Sequence, residues 1–308
     1  MILFQYFLMC MIFGTTFLAI KVGIDAGASP FFSAGIRFFL AGVILFIIMA
    51  WKGRATVSIL LRKEMFLTGM GLTFGVFASL YWGEQYVSSG IAAVLSATAP
   101  LIILLLQSGI SRQMLSTLSW AGCFIGLAGV ILLLLPGVTV TFSMLWIAGC
   151  TVILFGQIFF AAGTVYSRRV AQQFQEVSPI TLNAAQMMYG GAMLLVLSLI
   201  TEDVHMASML APNALLSLFY LIIVGSMMGH SIFYWLVAKT NPVFPATWLY
   251  VSPLIALCLG AVLYHEPISF LSLLGGIAIV IGIVLINLNS LQQLWSKKRA
   301  TTPADNKV

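Results

Sequence analysis

The sequence predicts an all-α membrane protein, with ten transmembrane helices arranged as two inverted five-helix repeats and both termini cytoplasmic. Three observations carry that expectation. Apolar residues make up 61% of the chain and charged residues 7%, with a mean hydropathy of +1.09, a balance suited to lipid rather than water. Residues 66–135 overlay residues 219–288 without a gap: Tyr81-Trp82 falls on Tyr234-Trp235, Pro100-Leu101-Ile102 on Pro253-Leu254-Ile255, Gly122 on Gly275 and Gly129 on Gly282. Because the repeated unit has an odd number of spans, its second copy enters the bilayer upside down. Third, basic residues gather in alternate loops: Lys52, Arg54, Arg62 and Lys63; Arg112; Arg168 and Arg169; Lys239; and Lys297, Lys298, Arg299 and Lys307. Against these twelve, the opposite side holds Lys21 alone, which places the basic loops and both ends in the cytoplasm. The loop after the second span is basic and the loop after the seventh carries Glu202 and Asp203, so equivalent loops fall on opposite faces.

Apolar runs of about 20 residues, the length that crosses ~30 Å of hydrocarbon, mark the elements in order. The first, 2–20, has no basic start and no A-x-A-like cleavage site. Its Phe13-Gly14 matches Phe155-Gly156, so it is expected to stay as a helix rather than act as a signal peptide. The second, 32–51, opens at Ser29-Pro30 as the seventh, 180–200, opens at Ser178-Pro179, which sets Arg37 opposite Gln186 and Gly42 opposite Gly191. The third, 65–83, carries Gly71 and Gly75 and ends at Tyr81-Trp82; the eighth, 213–235, ends at Tyr234-Trp235. Rings at such ends favour the membrane interface, with stacking walls for an aromatic or amphiphilic solute as the alternative at Tyr81, Trp82, Tyr234 and Trp235. The fourth, 88–107, and the ninth, 243–264, contain Pro100 and Pro253. Each proline removes a helical hydrogen bond and opposes the carbonyl four residues back, at Ser96 and Leu249. A pair of flexing kinks beside a central pathway and a pair of inert kinks are both consistent with that. The fifth, 115–135, lines up Gly122, Gly126 and Gly129 for close helix packing within the chain or at a dimer seam. The sixth is 144–166 and the tenth 268–289. The repeats are thus 1–135 and 144–289, followed by a basic cytoplasmic tail, 290–308, expected to be disordered. Continuous apolar runs, rather than alternation over about ten residues, favour helices over a barrel.

Several functions lose support here. Twelve of the basic residues serve orientation, so the pI of about 9.3 is no nucleic-acid footprint. Cys10, Cys123, Cys150 and Cys258 sit singly in apolar spans, without disulfide or metal spacing. No cofactor or metal is called for. The chain lacks G-x-x-x-x-G-K-[ST], H-E-x-x-H and G-x-S-x-G sequences. Ser226 and His230 give the nucleophile-and-base spacing that a membrane helix offers, so an intramembrane enzyme stays as the alternative to a carrier, beside a scaffold without flux.

The run Tyr86-Val87-Ser88-Ser89-Gly90-Ile91-Ala92-Ala93-Val94-Leu95-Ser96-Ala97-Thr98-Ala99-Pro100-Leu101, its echo Ala246-Thr247-Trp248-Leu249-Tyr250-Val251-Ser252-Pro253-Leu254, and Glu266-Pro267-Ile268 before Gly275-Gly276 resemble EamA-type members of the drug/metabolite transporter superfamily. The resemblance covers residues 1–290. It implies a central cavity between two inverted repeats, a place in the bacterial cytoplasmic membrane, and movement of small metabolites such as amino acids, often outward.

An ionisable group deep in hydrocarbon costs from ~2.5 kcal/mol upward and marks a candidate site. Arg37 is positioned to attract an anionic substrate group, with snorkelling or a structural bond as the bland alternative. His230 is a candidate for substrate or for a coupling proton, or else a neutral histidine bonded within the bundle. Glu84 reads as a solvated interfacial carboxylate or a guard at the entrance. Thr15, Ser96, Gln157, Asn183 and Gln186 offer directional hydrogen bonds, Asn183 and Gln186 from one helix face. Trp248 and Tyr250 offer stacking walls. The expected partners are the lipid bilayer and a small metabolite, with a proton as candidate coupling ion; oligomeric state is not encoded legibly.

Overall fold

The computed structural model describes residues 1–111, 116–137, 143–255 and 269–300. Arg112, Cys258, His265, Glu266-Pro267-Ile268 and Lys307 lie outside them. The described chain is helical, with no strand. Seven helices are long and apolar enough to cross a membrane, and three shorter apolar helices accompany them.

In chain order these are α1 (Ile2–Asp25), α2 (Pro30–Trp51), α3 (Lys63–Gly83), α4 (Ser89–Ser96 and Ala99–Ser111), α5 (Thr117–Leu134), α6 (Met144–Gln173), α7 (Pro179–Thr201), α8 (Pro212–Lys239), α9 (Val243–Ile255) and α10 (Phe270–Ala300). Local chemistry explains their starts. Pro30, Pro179 and Pro212 take first-turn positions where an N–H has no helical partner. Ser88, Ser116, Ser143 and Ser178 accept backbone N–H bonds of the turns they open. After α1 and α2 the chain turns at Gly27 and Gly53, whose φ of 84° and 67° are costly for any residue with a β-carbon.

Several helices outrun their apolar cores. α1 continues through Lys21 to Asp25, where the two side chains pair at 3.0 Å. α6 carries Arg168 and Arg169, and α10 continues to Ala300 where a disordered tail was expected from Ser290. Charged residues are compatible with helix once the backbone has left the hydrocarbon, so the hydropathy window stops before the helix does.

The outside of the bundle is apolar: Leu3, Phe4, Phe7, Leu18, Ile47, Leu199 and Ile200 are all exposed. Polar groups lie inside, the reverse of a soluble protein and the arrangement a lipid solvent favours. α2 and α7 run antiparallel. Glu202, just past α7, accepts from Phe31 N at 2.7 Å and Phe32 N at 2.9 Å at the start of α2, while Thr181 near the start of α7 donates to Arg54 O beyond the end of α2. Glu202 thereby supplies an anion at a helix N-terminus.

α5 and α10 also run antiparallel and meet backbone to backbone. A β-carbon on Gly122 would lie 2.7 Å from Gly282 O, and one on Gly129 would lie 2.8 Å from Gly275 O. The glycine face of α5 is thus used inside this chain.

Interruptions fall in α3, α4, α8 and α9. α4 breaks at Ala97–Thr98, just before Pro100. In α9 the break is at Thr247, and helix continues through Pro253 to Ile255, so that proline does not mark the bend. α3 and α8 contain π-helical turns at Met70–Gly75 and Leu221–His230, a wider winding found mostly where function displaces a helix from its ideal path.

Candidate functional site

A small, partly enclosed cavity lies within the bundle, walled by α1, α2, α3, α4, α6, α8 and α9. Its free space is about 40 Å³. One water needs ~10–15 Å³ of such space, so the cavity has room for about three waters and must widen to take a metabolite. Five of the residues predicted as substrate-binding line it: Arg37, Ser96, Gln157, His230 and Trp248.

Arg37 is the charge on its wall and is 1% exposed. Its Nε donates to Ser226 Oγ at 2.9 Å and its Nη1 to Tyr81 OH at 3.2 Å. The guanidinium carbon lies 4.5 Å from the Phe38 ring centroid and 5.2 Å from that of Phe77, within cation–π range. Gly225 makes room for it, since a β-carbon there would sit 3.1 Å from Nη2. Among the described residues Nη2 has no protein partner, and the ion pair formed is Lys21 with Asp25. A guanidinium with spare donors and no carboxylate in contact, in low dielectric, is an anion-binding group.

The walls are mostly rings. Trp248 lies 4.5 Å from Phe13 and 6.1 Å from Phe17 between centroids, and its Nε1 is buried without a hydrogen-bond partner among the described residues. His230 packs against Phe13, Phe38 and Phe77 at 5.1, 5.3 and 5.5 Å. No hydrogen bond joins it to Ser226, whose hydroxyl oxygen accepts from Arg37 instead. The serine and histidine are not arranged as nucleophile and base. Across the cavity Gln157 Nε2 donates to Ser96 Oγ at 3.3 Å and to Ile153 O at 3.3 Å, tying α6 to the broken part of α4.

The other four predicted residues lie away from the cavity wall. Thr15 bonds to Tyr220 OH and to Ile12 O. Asn183 and Gln186 do share a face, but they spend their groups on a buried chain: Thr73 Oγ1 donates to Gln186 Oε1 (2.8 Å), Gln186 Nε2 to Asn183 Oδ1 (3.0 Å), and Asn183 Nδ2 to Ser231 Oγ (3.3 Å). That chain holds α7 against α3 and α8, so α7 contributes no wall residue. Tyr250 OH donates to Cys123 O at 3.2 Å, and its ring lies 2.8 Å from where a β-carbon on Gly126 would be. It clamps α9 to α5.

Sequence reasoning put Tyr81 and Tyr234 in an interfacial belt ahead of a place along the central path. Both are buried inside the bundle rather than placed in an interfacial belt, and Tyr81 is a direct partner of Arg37. It also misplaced Glu84, which is 0% exposed rather than solvated. Glu84 follows the last residue of α3, and both its carboxyl oxygens are buried without a hydrogen-bond partner among the described residues. Burial holds this carboxyl well above the usual carboxylate range, with Lys21 and then Arg37 pulling the other way.

Comparison with known proteins agrees with this architecture. The EamA-like transporter family matches the chain twice, over residues 1–135 and 147–288. The chain is 30% identical over 300 residues to the "Uncharacterized inner membrane transporter YedA" of Escherichia coli (strain K12), covering 96% of this chain and 93% of that one. It is 26% identical over 277 residues to the "Uncharacterized transporter YoaV" of Bacillus subtilis (strain 168), covering 89% and 92%. A protein of known crystal structure superposes with a TM-score of 0.74 at 19% identity, over 94% of this chain and 98% of that one, a likeness of fold. The chain is a multi-pass membrane protein of the EamA-like transporter family.

Proposed function

We propose that the protein is a secondary transporter of small organic metabolites in the cell membrane, working by alternating access around the Arg37 cavity. The substrate carries a carboxylate or similar anionic group for Arg37 and an apolar body for the walls of Phe13, Phe77 and Trp248, a description that amino acids and related compounds fit. The observation that carries this reading is the guanidinium buried at a narrow cavity with, among the described residues, no carboxylate in contact. Burying a charge unpaired is costly, and an anionic ligand offsets that cost.

In this reading the ten apolar helices are two inverted repeats, 1–135 and 144–289, with both termini and the 290–308 segment cytoplasmic. Support comes from the π turns of α3 and α8, which overlap when the halves are overlaid, and from the antiparallel pairing of α2 with α7 and α5 with α10. One half rocks against the other, opening the cavity to each side in turn. The broken α4 and α9 are the flexible walls.

The test is a comparison of metabolites released by a deletion strain and an overexpressing strain. One or a few carboxylate-bearing metabolites are expected to change in opposite directions in the two strains. Identical profiles in both would sink the proposal.

A further inference from the structure

Glu84 has no task in the carrier described so far, yet its setting is specific. It lies at the end of the bundle that holds Lys21 and Asp25. Lys21 Nζ donates to the Glu84 carbonyl oxygen at 3.0 Å and pairs with Asp25 Oδ1 at 3.0 Å. The ammonium thus serves the C-terminus of α3, where a cation is favoured, rather than the Glu84 carboxylate. The side-chain oxygens of Glu84 are left buried and, among the described residues, without a hydrogen bond. An ionised carboxylate does not persist in such a place, whereas the protonated acid does. The charged and titratable groups around it are Lys21 and Asp25 from α1, Arg37 from α2, and Tyr81 on its own helix.

We propose that Glu84 is the proton-binding site of the carrier, holding a proton while the cavity is closed and releasing it when its end of the bundle opens to water. The proposal rests on the carrier reading above. The step is an acid dissociation, the carboxyl giving its proton to water as Lys21 turns from Asp25 to the new carboxylate. Tyr81 ties the event to the cavity. It stands one helical turn before Glu84 and accepts from Arg37. A proton on Glu84 removes a negative charge that competes for Arg37, so proton at Glu84 and anion at Arg37 favour each other. His230, which lines the cavity as Glu84 does not, is packed among the rings of Phe13, Phe38 and Phe77 and is not assigned this role.

The experiment uses full-length protein in proteoliposomes and two readouts that need no known substrate. Infrared difference spectra on changing pH should contain the carbonyl stretch of a protonated carboxylic acid at neutral pH. The band should be absent in Glu84→Gln and present at a shifted frequency in Glu84→Asp. In Lys21→Gln its loss should move to higher pH, because a stabilising cation has gone. The second readout is the rate at which an impermeant thiol reagent modifies Ile20→Cys, a cavity position toward the same end of α1. Measured relative to a small free thiol at the same pH, which cancels the reagent's own preference for thiolate, that rate in wild-type background should vary with pH by up to about tenfold per unit, the limit for one titrating proton, and Glu84→Gln should abolish this residual dependence.

A wild type without the acid band overturns the proposal. A band that survives Glu84→Gln, or a pH dependence of Ile20→Cys labelling unchanged by Glu84→Gln, overturns it too. Should Glu84→Gln fail to fold, Glu84→Asp and Lys21→Gln decide by the same band and the same pH shift. If labelling never depends on conformation in any variant, the carrier reading fails, and the band still reports separately whether Glu84 holds a proton.

Discussion

Two adjacent glycines of α10 allow the packing argument to be tested within a single turn. A β-carbon added at Gly275 would lie 2.5 Å from Leu133 N, 2.6 Å from Gly129 O and 2.8 Å from Leu133 Cα. All three are backbone atoms of α5, so no side chain can step aside. Carbon contacts settle at ~3.5–4.0 Å, and the helices must part by roughly 1 Å. That stretches the bond from Ser272 Oγ to Leu133 O, now 2.9 Å, and opens the neighbouring Gly122–Gly282 contact. Overpacking of this kind costs about 1–3 kcal/mol, against ~1 kcal/mol gained by replacing a helical glycine with alanine. At Gly276 the added carbon meets, among the described residues, only Leu254 Cδ1, at 3.0 Å, the end of a flexible side chain. Gly276→Ala should therefore be neutral or stabilising by up to ~1 kcal/mol, and Gly275→Ala less stable than it by about 1–3 kcal/mol. Thermal unfolding of both variants, purified in one detergent, makes the comparison. If Gly275→Ala melts at or above Gly276→Ala, the backbone contact between α5 and α10 is not where the structure places it.

Arg37→Ala should weaken binding of N-acetylphenylalanine about ten- to a hundredfold, the range of one charge-assisted hydrogen bond, and leave its neutral amide nearly unaffected. Ligand-induced melting shifts measure both, and equal losses would reassign Arg37 to structure. Glu202→Ala removes two amide bonds at the start of α2. It should cost ~1 kcal/mol of stability, while cavity residues respond to ligand as before. Because the Glu84 carboxyl is held above its unfolded value, the folded chain keeps a proton that the unfolded chain has released. Stability should fall as pH rises from the ordinary carboxylate range to that raised value, by at most ~1.4 kcal/mol per pH unit. Glu84→Gln should flatten this slope in melting curves taken across pH; an unchanged slope would show that the carboxyl is not buried.

The helices were legible because lipid imposes one simple rule, about twenty apolar residues per span. Their ends were not, because Lys21, Asp25, Arg168 and Lys239 prolong helices that hydropathy closes early. Arg37 was legible for the same reason of solvent: a charge in an apolar run must have a purpose. Its partners were hidden. Tyr81 and Ser226 lie 44 and 189 residues away, and Ser226 reads in sequence as belonging to His230, one turn further along α8. The π turns have no signature in residue type, yet they are part of how α8 places Gly225, Ser226 and His230 beside the cavity. Tyr81 and Glu84 were misread by position, since a helix end suggests an interface unless another helix covers it. Asn183 and Gln186 were read correctly as neighbours but sent to the wrong place, because a side-chain amide is equally suited to a substrate and to Thr73 or Ser231.

Alternating access is the central claim, and it has a direct measure. Ile20 and Thr247 are 2% and 0% exposed. Thr247 bonds to Tyr6, fifteen residues along α1 from Lys21, so the two positions approach opposite ends of the bundle, roughly 20 Å apart at ~1.5 Å per residue. Each should be modified by an impermeant thiol reagent from its own side of the membrane alone, when introduced as cysteine in a cysteine-free background. Cross-linking the Ile20 end shut should raise labelling at Thr247→Cys, and cross-linking the other end should do the reverse. Labelling of both positions from one side, or of neither under any condition, would contradict the account.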